Sequence, residues 1–210
     1  MNTHIIKLKR TNTPIRETVT KFGGNPVWKN KKNPQWPIAT RTGAAMQFIA
    51  QIALDPLGFE GAMAYLFMEG EGGAGDTWVP DGGANAVIIQ PSDAVPSVQV
   101  KQLTDGKRLY ELKSLPNSNV RQKQAWEYSV SLHEEADTEI EDNDDGFRNK
   151  IGGTPKWLQG DETPTDGEWL LLLQLDSSGV PFEVDFGDAG VGYAFISADG
   201  KRGKFLWQCG

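Results

Sequence analysis

The apolar residues of this chain fall in short dense blocks separated by turn-forming stretches, not in the three-and-four spacing of an amphipathic helix. MQFIAQIAL (46–54), GAMAYLF (61–67), VIIQP (87–91), WLLLLQLDS (169–177), GVGYAF (190–195) and FLWQC (205–209) are bordered by Gly, Pro or Asp and too brief for a good helix. Such blocks predict buried strands. A second pattern occupies the middle of the chain. VQVKQL (98–103), KRLYELKSL (107–115) and AWEYSVSL (125–132) have β-type composition, and Trp126, Tyr128, Val130 and Leu132 alternate with polar residues. DGK at 105–107 reads as a hairpin turn between two of these strands. Asn12–Lys21 is the best place for a helix.

The blocks recur in order. KFGGNPVW (21–28) and KIGGTPKW (150–157) share five of eight positions; MQFIAQIAL then answers to WLLLLQLDS, GAMAYLF to GVGYAF and VIIQP to FLWQC. Gln51 thereby aligns with Gln174, Tyr65 with Tyr193, Phe67 with Phe195 and Gln90 with Gln208. Four collinear blocks point to an internal duplication. The expected fold is α+β and β-rich, with two related β units packed together as one globular domain. The units are 1–92 and 150–210, and 93–149 is a β-type connecting segment with an acidic stretch. Packing one unit on the other would cover both apolar faces.

Charge narrows the partners. The 210 residues carry a net charge of −7, which disfavours direct nucleic-acid binding and anionic membranes and leaves a basic protein as the natural partner. The opening MNTHIIKLKRTNTPIRE has no apolar core of signal-peptide length, no later run approaches a membrane span, and the one cysteine, Cys209, cannot form an internal disulfide. A reducing cytoplasm is expected.

On KFGG-x-P (21–26), MQFIAQIAL, KIGGTPKWLQGDE (150–162), WLLLLQLDS, GDAGVGYAFIS (187–197) and FLWQC, the chain resembles the YwqG-like family of uncharacterised bacterial proteins. The resemblance covers most of the chain. It implies an α+β, β-rich fold of two related units and no shared catalytic residues. Some relatives lie among toxin–immunity gene sets, so it favours an immunity role. Some also carry cysteine clusters where this chain reads PQWPIAT and DETPTDG, so no structural zinc is expected.

Catalytic chemistry finds little to use. His4 and His133 read as surface residues, no G-x-S-x-G is present, and one cysteine with two histidines cannot make a usual zinc set. GEGGAG (70–75) matches a phosphate-loop spacing but continues into DTWVPDGG, which cannot be a long helix. EDNDDG (141–146) resembles a calcium loop whose closing acid would fall on Gly152. Glu183 and Asp185 could share a strand face. Trp28, Trp36, Trp78 and Trp157 sit in loops by this reading, the pair Trp28 and Trp157 as core.

The remaining feature is HEEADTEIEDNDDG (133–146), with eight acids in fourteen residues. Complementary charge speeds association and excludes wrong partners. Together with the immunity role that the resemblance implies, this makes the expected function a non-enzymatic, cytoplasmic immunity protein that occludes the basic active site of a cognate toxin domain. Glu134, Glu135, Asp137, Asp142, Asp144 and Asp145 are the contributing carboxylates, and no cofactor or metal is expected. The alternative is a small-molecule or peptide binding module in the crevice between the two repeats, with Gln51 and Gln174 in its lining. An enzyme working through Glu183 and Asp185 ranks last.

Overall fold

A computed structural model describes residues 2–70, 75–116, 120–137 and 147–210. Its strands are β1 (Thr3–Arg10), β2 (Lys21–Gly23), β3 (Trp36–Pro37), β4 (Gln47–Ala53), β5 (Met63–Met68), β6 (Asn85–Gln90), β7 (Val100–Lys101), β8 (Tyr110–Ser114), β9 (Arg121–Ala125), β10 (Glu127–Glu135), β11 (Lys150–Ile151), β12 (Trp169–Asp176), β13 (Val191–Ser197) and β14 (Gly203–Gln208). Ten of them close an antiparallel barrel in the order β1-β10-β2-β4-β5-β6-β14-β13-β12-β11, with β11 returning to β1. The pairs β3–β7 and β8–β9 are separate two-stranded sheets.

This corrects the α+β expectation. Among the described residues there is no α-helix, only single 3₁₀ turns at Asp55–Leu57 and Ser177–Gly179. Asn12–Lys21 fails as a helix because its β-branched residues suit that geometry poorly and its backbone is claimed elsewhere. The Gln51 amide donates to the carbonyls of Glu17 and Val19, and the Thr20 hydroxyl accepts from the Ala53 N–H. Nor do two units pack face to face. The strand sets β2-β4-β5-β6 and β11-β12-β13-β14 are two arcs of one barrel, joined by β1 and β10 along one seam and by β6 and β14 along the other.

The seams differ. β1 and β10 pair over eight residues, from Thr3↔Glu135 to Arg10↔Tyr128, whereas β6 and β14 meet in register only at Gly203↔Val87. A Cβ on Gly203 would run into the Val87 side chain, so glycine is what lets these strands touch. The opening segment supplies a barrel strand, and AWEYSVSL, expected as a strand, lies mostly in the longest one, β10. DGK is not a hairpin turn, since β7 pairs with β3 and β8 with β9.

The solid apolar blocks follow from burial of both strand faces. Along β5, Ala64, Leu66 and Met68 face the barrel interior while Met63, Tyr65 and Phe67 join an outer cluster with Trp28, Trp36 and Phe48. Along β13, Ala194 and Ile196 face inward while Val191, Tyr193 and Phe195 join an outer cluster with Leu171 and Trp157. A ten-stranded barrel is wider than one that eight strands' own side chains fill. Here the segment 180–187 supplies extra volume: Phe182 stacks on Phe22 at 5.7 Å, and Phe186 lies 5.6 Å from Phe205.

Candidate functional site

The same local machine is built twice on the outside of the barrel. At Gly23-Gly24 and Gly152-Gly153 the backbone takes positive φ four times (69°, 64°, 73° and 73°), a conformation in which glycine alone is unstrained. These turns throw the chain outward and back over the strands. A bulge in β4 between Phe48 and Ala50, and another in β12 between Leu171 and Leu173, change which side chains face outward. Beyond the bulges lie Gln51 and Gln174, both fully buried, and each accepts a hydrogen bond from a loop N–H: Val27 at 2.7 Å and Lys156 at 2.8 Å.

Tyr65 accepts from the Lys29 N–H and donates to the Val27 carbonyl; Tyr193 accepts from the Leu158 N–H and donates to the Lys156 carbonyl. Gln90 and Gln208 accept from Asn30 and from Leu158 and Gln159. Burial pushes the Tyr65 hydroxyl up to about 12, and Tyr193 upward also, so both serve as neutral donors. Trp28 lies 4.6 Å from Tyr65 and Trp157 lies 4.5 Å from Tyr193, at interplanar angles of 37° and 38°.

Each loop also covers a buried lysine, which the sequence reading passed over. Lys21 and Lys150, 0% and 2% exposed, donate to the carbonyls of Asn25 and Thr154. Burial lowers both ammonium groups from their ordinary value. Their partners differ. Lys21 forms a buried ion pair with Glu127 of β10, whose other oxygen accepts from the Ile15 N–H at 3.1 Å. In the second half Thr3 of β1 occupies the matching place, and its hydroxyl donates to Asp137 at 2.9 Å. Burial pushes the Asp137 carboxyl up, but hydrogen bonds from Thr154 and Thr3 and the charge of Lys150 outweigh it and leave it below its ordinary value.

Of the six predicted carboxylates, Asp137 is thus an anchor at the β1–β11 junction. Glu135 at the end of β10 is held by Arg148 at 2.6 Å, and Glu134 accepts from the Asn2 amide; both are exposed. Asp142, Asp144 and Asp145 lie outside the described residues. Gln51 and Gln174 line no crevice, because their amides are spent on loop backbone. Trp36 is fully buried and Trp78 is 49% exposed against the edge of Trp207. Glu183 and Asp185 point to solvent from a segment whose Phe182 and Phe186 point inward, and with Glu69 they line a cleft of about 340 Å³.

Two further hollows matter. One, about 180 Å³, lies at the β6–β14 seam between Val87–Ile89 and Lys201–Lys204, with Trp169 under the cations of Arg202 and Lys204. The other, about 620 Å³, opens beside the first Gly-Gly loop, where Arg16, Lys31 and Arg108 surround Asn25, Trp28 and Glu127. Among the described residues no group of three His, Cys, Asp or Glu side chains could hold a metal ion, and no helix is long and apolar enough to cross a membrane.

No curated protein matches the chain. A family model does, over residues 20–205, from the first buried lysine's strand to the last barrel strand. The chain belongs to the family described as "Domain of unknown function (DUF1963)".

Proposed function

We propose that this chain is a non-enzymatic cytoplasmic protein of the YwqG-like kind that binds a basic protein through the acidic rim beside the second Gly-Gly loop. In its most specific form it is an immunity protein that occludes a toxin's active site. One observation carries the reading: the acidic stretch is bracketed by fixed points. Asp137 is tied to Thr3 and Thr154 on one side, and on the other Phe147 packs on the outer cluster of Trp157 and Tyr193 while Arg148 grips Glu135. Five acids lie in the nine residues 138–146 between them. Anchoring both ends lowers the ordering cost of binding, and clustered charge raises the association rate.

The test is co-purification with the product of the adjacent reading frame at low and high salt. A salt-sensitive complex that is lost when Glu134, Asp142, Asp144 and Asp145 become Gln or Asn, with Asp137 kept, supports the reading. No complex, or one indifferent to both salt and those substitutions, removes it. A second reading, a small-molecule or peptide module between the halves, draws on the seam hollow, which both halves line. It ranks lower because about 180 Å³ is small beside ordinary ligand pockets of roughly 300–1,000 Å³. A metabolite set in which no compound raises the melting temperature would end it.

A further inference from the structure

Matching backbone contacts put the outer loops of the two halves in register. The N–H groups of Lys29 and Leu158 donate to Tyr65 and Tyr193, and the next N–H groups, of Asn30 and Gln159, donate to Gln90 and Gln208. At that shared point the side chains differ in charge. The first loop reads KNKK (29–32) and the second LQGDE (158–162). Lys29, Lys31 and Lys32 are exposed, and among the described residues none of them makes an ion pair. Arg16 is exposed and unpaired as well, and it lines the same hollow as Lys31. Asp161 and Glu162 are exposed and also make no ion pair among the described residues. Both carboxylates are held in place: Asp161 accepts from the Thr163 N–H at 2.8 Å and Glu162 from the Gln208 amide at 2.9 Å.

β10 measures how far apart the two loops are rooted. Glu127, its first residue, pairs with the lysine under the first loop, and Asp137, two residues beyond its last, bonds to Thr154 of the second. A strand of that length separates the two roots by about 30 Å. That is roughly three screening lengths at ordinary salt, so neither charge neutralises the other within one molecule. Between molecules the case differs. A net charge of −7 holds two copies apart in most orientations. With the lysine loop of one copy over the carboxylate loop of another, unlike charges face each other instead. The chain thus carries, at the matching place of its other half, the countercharge that its lysines lack.

We propose that the lysine loop at 29–32 is a docking surface for the acidic loop at 158–162 of a second copy of this chain. The contact joins two different surfaces, so each copy keeps one of each free and association runs head to tail. Exposed ion pairs are individually weak and screened by salt, which makes the assembly reversible and salt-sensitive. The lysines have no part in the capture of a basic protein by the acidic rim, so either proposal can fail alone.

Sedimentation velocity of the purified full chain, over a concentration series at low and high salt, is the test. At low salt the mean mass is expected to rise with concentration to about twice that of the monomer or beyond, and at high salt to return to the monomer. Lys31→Glu/Lys32→Glu changes only exposed side chains and is expected to weaken association about tenfold or more. Asp161→Asn/Glu162→Gln keeps an oxygen for Thr163 and Gln208 and is expected to do the same. Mixed, the two variants form a dimer that grows no further, because each retains the face that the other has lost. A chain that stays monomeric at low salt overturns the proposal. So does association that either variant leaves intact, or a mixture that stays monomeric. Heparin fragments are a second probe: a chain that binds them and never self-associates overturns it too, and gives the lysine loop to a polyanion. The lysine variant keeps every acid of the rim, so its binding of a basic partner separates a failure here from a failure of the rim reading.

Discussion

Lys21 and Lys150 stand at the same point in the two halves, under the same glycine pair, donating to the same loop carbonyl. What differs is the source of the negative charge beside them. In the first half it is Glu127, fixed on the barrel strand β10. In the second, β1 offers only a threonine, and the carboxylate is Asp137, which lies beyond the end of β10 within the acidic stretch. The lesson is that a repeated scaffold can keep its electrostatics while changing which segment supplies them. The first half seals its lysine with a strand residue and leaves a cleft open beside it. The second uses the charge to pin a loop.

The largest expected effect breaks that comparison at its centre. Glu127→Ala would leave Lys21 buried without a carboxylate, at a cost of about 3–5 kcal/mol. Thr3→Ala at the matching place removes one hydrogen bond, about 1 kcal/mol. Urea denaturation measures both; equal losses would mean the halves do not differ as described.

Next come the glycines. Alanine at Gly23 or Gly152 meets left-handed backbone, about 1–2 kcal/mol in either case. At Gly23 the added carbon also runs into the Trp126 carbonyl, whereas at Gly152 the nearest atoms, the Asn2 carbonyl oxygen and Leu57 Cδ2, lie at 3.0 Å. Gly23→Ala should therefore be the more damaging of the two by denaturation midpoint.

Tyr65→Phe and Tyr193→Phe sharpen the shared part. Tyr65→Phe takes the hydroxyl from the Lys29 N–H and the Val27 carbonyl, about 1–3 kcal/mol, whereas in Tyr193→Phe the Leu158 N–H keeps the Gln208 side-chain oxygen and only the Lys156 carbonyl loses the hydroxyl outright. Tyr65→Phe should therefore lose more than Tyr193→Phe, and coincident melting curves would show that the Gln208 contact does not compensate in the second loop.

The smallest effect is a pH response confined to the second half. The Asp137 carboxyl sits below its ordinary value of 3.8, so its contribution is complete above that value and is lost as pH falls through the lowered one. Amide resonances of Thr3 and Thr154 should shift together in strong acid, and Asp137→Asn should abolish that transition.

Sequence pattern made much of this legible. The dense blocks became β4, β5, β6, β12, β13 and β14, because a strand buried on both faces must be apolar throughout. Trp28 and Phe67, aligned with Trp157 and Phe195, lie at the same 6.0 Å ring separation. β1 was hidden because THIIKLKR carries its charges on a strand whose polar positions face solvent, so it shows no dense apolar block. The buried lysines were hidden for a related reason. A lysine before a glycine pair looks like a surface residue until the loop beyond the glycines is folded back over it. The hollow beside the first Gly-Gly loop left no local trace, since Arg16, Trp28 and Arg108 are brought together only by folding.

From composition and order alone the chain specified strands, turns at the glycine pairs and two series of matching blocks, because periodicity and the special backbone freedom of glycine are local properties. Closure into one barrel, the conversion of two expected units into two arcs and the pairing of Lys21 with Glu127 were settled by packing. They depend on which surfaces meet across more than a hundred residues of intervening chain, and short-range pattern carries no record of that.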